Sequence, residues 1–413
     1  MTARLLGLQA SIILGFALVS CGGSAAPAAS SPAPSQAPAS SPAAKPAGSE
    51  SASAKPAAST AASPSAAASA SAKPAASPKP APTTLPPIPA DTTTVALTKV
   101  AIPPIAGKTL SADTLDVDQA AHVLYATDRT AGGIDVFDVS TPSAKYLTTI
   151  KTPAESHGIT VAKDINRLFA GQTGSKLAII DIDPKSPTVN TVIATVDTGG
   201  KLRADELAYD PKDKKVYISN IDEGFVVAID VTTNKVTKRF DNVGKKVEQP
   251  IYNPADGMVY MDDQGQNAIF QFDPAKDALL KTFDIGDDCQ PAGEAVNPAT
   301  SQVLLGCTNR TKQHTAVFDL KSGKLAGTFD NTGAGDMVVY DPKADRFLFA
   351  VDSFFRGASV GVFGGAAPVK FITNVPTSPG SHTLAYDETN KIVYVPDVQP
   401  NDGALLSFPL PAK

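Results

Sequence analysis

After residue 100 the chain alternates short apolar runs with polar turns at a nearly fixed interval. Asp210-Pro211 precedes Val216-Tyr217-Ile218-Ser219-Asn220, and Asn253-Pro254 precedes Val259-Tyr260-Met261. Asn297-Pro298 precedes Val303-Leu304, Asp341-Pro342 precedes Phe347-Leu348, and Asp387 precedes Val393-Tyr394-Val395. Two earlier copies are looser, with Asp118 before Leu124-Tyr125 and Asp164 before Leu168-Phe169. The equivalent positions Tyr125, Phe169, Tyr217, Tyr260, Leu304, Leu348 and Tyr394 are separated by 44, 48, 43, 44, 44 and 46 residues. Seven copies at this period indicate stacked units, none of which buries its apolar face alone.

Within a copy the runs are short, rich in Val, Ile, Tyr and Phe, and bounded by turn residues, which is a β pattern. The third copy predicts strands at residues 207–209, 215–220, 226–230 and 236–241, with turns at 212–214 and 233–234. No segment shows a convincing amphipathic helix. Four antiparallel strands at this period describe a propeller blade. The predicted fold is all-β, a seven-bladed β-propeller over residues 94–413. The last copy supplies only three strands, at 384–387, 392–395 and 404–408. Residues 95–102 resemble the missing outer strand and are expected to complete that blade, closing the ring.

Val216-Tyr217-Ile218-Ser219-Asn220 resembles the signature of the YVTN-repeat β-propellers, with weaker copies at residues 124–128 and 393–397. The resemblance runs from about Thr94 to Lys413. It implies fold more than function, because relatives include surface and periplasmic binding proteins and lactonase-like hydrolases. The chain has no Trp, which speaks against a WD40 protein and against quinone-dependent dehydrogenases with Trp-based docking motifs. No Cys-x-x-Cys-His occurs, so no c-type haem is attached.

The first ninety residues set an expected address. Arg4 precedes the apolar stretch 5–19, which is too short for a comfortable membrane span. It ends in Leu18-Val19-Ser20-Cys21-Gly22, which resembles a bacterial lipobox. Residues 1–20 are then a signal peptide, and Cys21 is the acylated residue that holds the protein to a membrane. Residues 21–93 are Ala, Ser and Pro with Lys-Pro-Ala-Ala recurring at Lys55 and Lys73. Such a composition cannot offset its ordering entropy, so it reads as a tether, reaching roughly 200 Å at about 3 Å per residue. The expected location is extracytoplasmic, on the periplasmic face of the outer membrane in a two-membrane host, or otherwise on the cell surface.

Charge bears on partners. Five of the 36 basic and two of the 41 acidic side chains precede residue 93, leaving 31 and 39, a net of −8 for the propeller. That disfavours nucleic acid, which needs a basic face. Lys201, Arg203, Lys245 and Lys246 form a local basic group that reads as solvated loop surface. A monomer is expected. Cys289 falls in the loop entering the first strand of the fifth unit and Cys307 at the end of its second strand. Antiparallel pairing brings these ends together, so a disulfide is expected, which an exported compartment permits. Two thiols are too few for a Cys-based metal site.

Twelve residues before each repeat anchor stand Asp113, His157, Asp205, Glu248, Ala292, Asp336 and His382. If the first strand of a blade is innermost, these positions ring one mouth of the central channel. Carboxylates and imidazoles converging there suit a divalent cation, a polar ligand or a general base. Alternatively, the acidic residues are turn grammar without chemistry, although His has no such preference. A loop expected on the same face carries Asp352-Ser353-Phe354-Phe355-Arg356. Phe354, Phe355 and Arg356 have the composition of a partner-binding anchor, or else of local loop packing.

Two motifs carry nothing. Gly357-Ala358-Ser359-Val360-Gly361 matches G-x-S-x-G but runs into a strand, where a nucleophile elbow needs a helix. Asn309-Arg310-Thr311 is a glycosylation sequon without meaning in a bacterial host. Two functions remain. One is a membrane-tethered propeller that binds a protein partner or polar ligand at its mouth. The other is a lactonase-like hydrolase using the ring, with or without a metal. The sequence displays no nucleophile–base arrangement.

Overall fold

The computed structural model describes residues 91–309, 311–312, 314–352, 357–400 and 402–412. These form 28 strands in seven four-stranded antiparallel sheets arranged as blades. The third blade comprises Leu207–Asp210, Lys215–Asn220, Phe225–Asp230 and Lys235–Phe240, within a residue of the pattern's prediction. Among the described residues the only helices are single 3-10 turns at Lys163–Ile165 and Ile221–Glu223.

The seventh blade draws Ala385–Asp387, Ile392–Asp397 and Ala404–Pro409 from the end of the chain. Its outer strand is Thr98–Ala101, paired from Thr98↔Ser407 to Ala101↔Ala404. The closing strand is shorter than the 95–102 stretch expected. Pro103-Pro104 follow it, and proline cannot donate to the ladder.

The repeat grammar has a direct structural cause. In six blades the Asp or Asn at the end of the inner strand folds its side chain over the following turn, whereas the second ends in Ala162 and turns through a single 3-10 turn. The Asp118 carboxylate accepts from the Ala120 and Ala121 amides, Asp210 from Lys212, Asn253 from Ala255, and Asn297 from Ala299. Asp341 and Asp387 do the same. These are Asx turns, which tie those six inner strands to the next one out.

Seven apolar clusters fill the spaces between neighbouring blades. The repeat anchors Tyr125, Phe169, Tyr217, Tyr260, Leu304, Leu348 and Tyr394 all lie in them, each almost fully buried. Each blade therefore buries its faces against its neighbours, as the repeat period requires. The first strands of successive blades contact one another around the ring, which makes them innermost.

Candidate functional site

The ring positions fall where the inner strands begin. Four of these strands, Ser156–Ala162, Val247–Asn253, Pro291–Asn297 and Gly335–Asp341, break register in their first residues. The irregularities contain His157, Glu248, Ala292 and Asp336. A bulge there bends the strand and re-aims the side chain, here at the mouth of the channel. Asp113, Asp205 and His382 lie just ahead of the inner strands of blades 1, 3 and 7.

A cavity of about 730 Å³ occupies this mouth. Asp113, Asp205, Glu248, Asp336 and His382 line it, so five of the six ionisable ring residues share one space. His157 stands behind them, nearly buried, and reaches the cavity through Asp113. At the fifth blade, Ala292 leaves a notch widened by Ala334 and Gly335 and rimmed by the polar Gln290, Thr308 and Asn309.

Asp113 is the hub. Arg129 donates to its Oδ2 at 2.7 Å, His157 Nδ1 lies 3.1 Å from the same oxygen, and His382 Nε2 is 3.6 Å from Oδ1. Burial works to raise the Asp113 pKa. The hydrogen bonds from His157 and His382 and the Arg129 charge outweigh it and hold the group well below the carboxylate range. Burial works to lower His382, but the Asp113 bond and the Asp336 charge push it up to about 9. Both groups are therefore charged at neutral pH.

The other carboxylates behave differently. Burial and the Asp113 charge push Asp205 up to about 7 against the pull of Arg203. Burial and Asp336 push Glu248 up to about 7 against Lys246. Burial raises Asp336 to about 6, with His382 opposing. Arg203 Nη2 lies 3.4 Å from Asp205, and Lys246 Nζ lies 2.7 Å from Glu248. Arg203 and Lys246 thus line the mouth and pair with its acids, Arg203 partly buried and Lys246 with its side chain still 43% exposed.

Glu206 is a site residue that the alignment missed. It is nearly buried, lines the mouth cavity, and also lines a second cavity of about 640 Å³ bounded mainly by apolar side chains such as Leu115, Ile159 and Ile251. Gln249 lines the second cavity. Its Oε1 accepts from the Glu294 amide at 3.0 Å and the Val338 amide at 3.2 Å, and its Nε2 donates to the Val338 carbonyl at 3.0 Å. That one amide ties blade 4 to blades 5 and 6. The available signal was one position further along: Thr114, Gly158, Glu206, Gln249, Gly293, Met337 and Thr383 occupy it, and Glu206 is the single charge.

Thr173 was also missed. Its Oγ1 lies 3.0 Å from His157 Nε2, on the opposite side of the imidazole from Asp113. The order hydroxyl, imidazole, carboxylate is that of a nucleophile, a base and its orienting group. Thr173 follows the strand Arg167–Gln172 and its residue is exposed.

Ligand atoms of Asp113, His157 and Asp205 lie within 4.8 Å of one another. Such a set suits a divalent metal. The Arg129 and Arg203 guanidiniums already neutralise the two carboxylates, which works against a further positive charge at that triangle. Cys289 and Cys307 are joined in a disulfide with Cα atoms 4.5 Å apart. The register Pro291↔Cys307 sets them side by side. Phe354, Phe355, Arg356 and Cys21 lie outside the described residues.

No family model and no curated protein matches the sequence. A chain in the crystal structure of a mitotic checkpoint complex superposes with a TM-score of 0.61 at 13% identity, covering 82% of this chain and 99% of that one. At that identity the likeness shows the fold alone. The molecule is a seven-bladed β-propeller, a fold that commonly mediates protein binding and hosts many unrelated functions.

Proposed function

We propose that this chain is a membrane-tethered, extracytoplasmic binding protein of the YVTN-repeat kind, which takes a polar ligand or a polar group of a protein partner into the mouth of its channel. The lipobox-like Leu18-Val19-Ser20-Cys21-Gly22 and the Ala/Ser/Pro stretch support the tether. The observation that carries the binding role is the cavity itself. Side chains from six of the seven blades converge on about 730 Å³, and charged groups of both signs line it. Desolvating so many charges costs stability, and a concave site with convergent polar groups is where ligands bind. A thermal-shift screen of polar metabolites on the full chain tests this reading. A hit should raise the melting temperature of the wild type and leave Ala292→Trp, whose side chain fills the notch whatever the ligand's charge, unmoved. A screen without hits, or hits indifferent to that substitution, would contradict it.

Hydrolysis is the second reading, favoured by the Thr173–His157–Asp113 chain. In it, Thr173 Oγ1 attacks an ester or lactone carbonyl while His157 takes the hydroxyl proton and passes it to the leaving oxygen. Water then releases the acyl group by the same route in reverse.

A further inference from the structure

Each acid at the ring positions has a cation acting on it, and the adjacent Glu206 does not. Asp113 has Arg129 at 2.7 Å, Asp205 has Arg203 at 3.4 Å, and Glu248 has Lys246 at 2.7 Å. Asp336 feels the charge of His382. Glu206 has no cation of its own among the described residues. Its Oε2 is buried without a hydrogen-bond partner, and the charges nearest in effect are Asp336, Asp205, Glu248 and Asp113, all negative.

An isolated buried carboxylate is costly, and it either keeps a proton or meets a positive charge. Burial and the four acidic neighbours hold Glu206 well above the ordinary carboxylate range, so the free protein keeps it protonated. Glu206 nevertheless lines the mouth cavity. Blades 1 and 7 carry Thr114 and Thr383 at the same place. The fold therefore does not require an acid there.

We infer that the mouth recognises a ligand through a single cationic head, a primary ammonium or a guanidinium, seated on Glu206 between Glu248 and Asp336. This rests on the reading of the mouth as a ligand site and names the class of ligand. Such a head offers several N–H donors to carboxylate oxygens, and charge-assisted bonds of this kind are the strong ones. The polar remainder of the ligand meets Gln264, Gln290, Thr308 and Asn309 on the notched side left by Ala292. Arg203 and Lys246 stand on the rim and repel a second cationic end, so a monocation fits better than a polyamine.

Calorimetric titration of the full chain tests the inference, with agmatine, cadaverine, Nα-acetyl-lysine amide, glucose, succinate, Ca²⁺ and Mn²⁺ as probes. The lysine derivative, a monocation, should bind more tightly than the two dications. Glu206→Gln should weaken it by about tenfold or more, as expected when one partner of a buried charge pair is removed. Seating the ammonium should drive the proton off Glu206. The wild-type heat at pH 7 should therefore differ between phosphate and Tris buffers, and that difference should shrink in the variant to the share released by Glu248 and Asp336. Glu206→Thr, the residue of blades 1 and 7, serves if the glutamine variant does not fold. The inference is overturned if cations bind both forms equally, if only metal ions bind, or if no amine binds. If amines fail while succinate or glucose binds in a manner sensitive to Arg203→Ala, the inference fails and the mouth survives as a ligand site. If no probe binds and the wider metabolite screen is also blank, the site reading itself fails.

Discussion

Asp262 and Glu294 face each other across the interface between blades 4 and 5, and none of their four carboxylate oxygens has a hydrogen-bond partner among the described residues. Both side chains are fully buried, on the same faces as Tyr260 and Val296 of the apolar cluster there. The other six blades carry Thr127, Gly171, Ser219, Gly306, Ala350 and Pro396 in place of Asp262. They carry Leu115, Ile159, Leu207, Pro250, Val338 and Leu384 in place of Glu294. Two departures from the repeat thus meet at one interface.

This pair makes stability depend on pH. Burial holds both carboxyls protonated well above their ordinary range, and the Glu294 charge adds to the effect at Asp262. Unfolded carboxyls titrate near pH 4. Above that value the folded chain binds more protons than the unfolded one, so the pair's contribution to stability falls as pH rises. Giving blades 4 and 5 the residues of blade 3, as Asp262→Ser with Glu294→Leu, should stabilise the protein at pH 8 by about 1–3 kcal/mol, the usual cost of buried polar groups without partners. The gain should shrink towards pH 4. Denaturant melts across that range check it. An equal gain at every pH would mean the pair does not titrate with folding.

His382 should report the Asp113 hub directly. Its imidazole is held protonated up to about pH 9 against its burial, chiefly by Asp113. The stabilisation is fully present below pH 6.5 and is lost as pH rises through 9. An NMR titration should place the His382 ring midpoint near 9 in the wild type and lower in Asp113→Asn. A midpoint unchanged by that substitution would remove Asp113 as the cause.

Removing the Cys289–Cys307 bond should destabilise by about 3 kcal/mol for a loop of this size in the chain-entropy model. The sulfurs lie in the apolar cluster between blades 4 and 5, with both residues fully buried. Cys289→Ala/Cys307→Ala should lower the melting temperature without moving the notch around Ala292 far enough to abolish binding. A melt identical to the wild type would show that the bond adds nothing to the closed ring.

If the mouth hydrolyses esters, Thr173 carries the acyl group. p-Nitrophenyl acetate should then acetylate Thr173, as seen by peptide mass after an acid quench, and Thr173→Val should reduce turnover by about 100-fold or more. Thr173→Ser should retain it. An unmodified Thr173, or turnover that survives in Thr173→Val, would remove the hydrolytic reading.

Much of this was legible in the chain because it is local. The period, the Asx turns at Asp210 or Asn297, and the closing strand each follow from residues a few positions apart or from a missing fourth strand. The ring of Asp113, Asp205, Glu248, Asp336 and His382 followed as well, since equivalent positions in a repeat share one radius of the ring. What was hidden depends on neighbours in space. Arg129 and Arg203 neutralise ring carboxylates from outside the ring positions. Thr173 meets His157 from a loop that follows the second strand of its blade. Glu206, Asp262 and Glu294 are exceptions to the repeat, and an alignment built on shared residues looks past exceptions.

The most direct test of the mouth as a site for a cationic ligand is native mass spectrometry of the purified full chain, wild type against Glu206→Gln/Asp336→Asn. A discrete small-molecule mass, retained by the wild type and absent from the variant, is the result expected. Identical bare masses after incubation with every amine and metabolite tested, or an adduct that survives both substitutions, would contradict it.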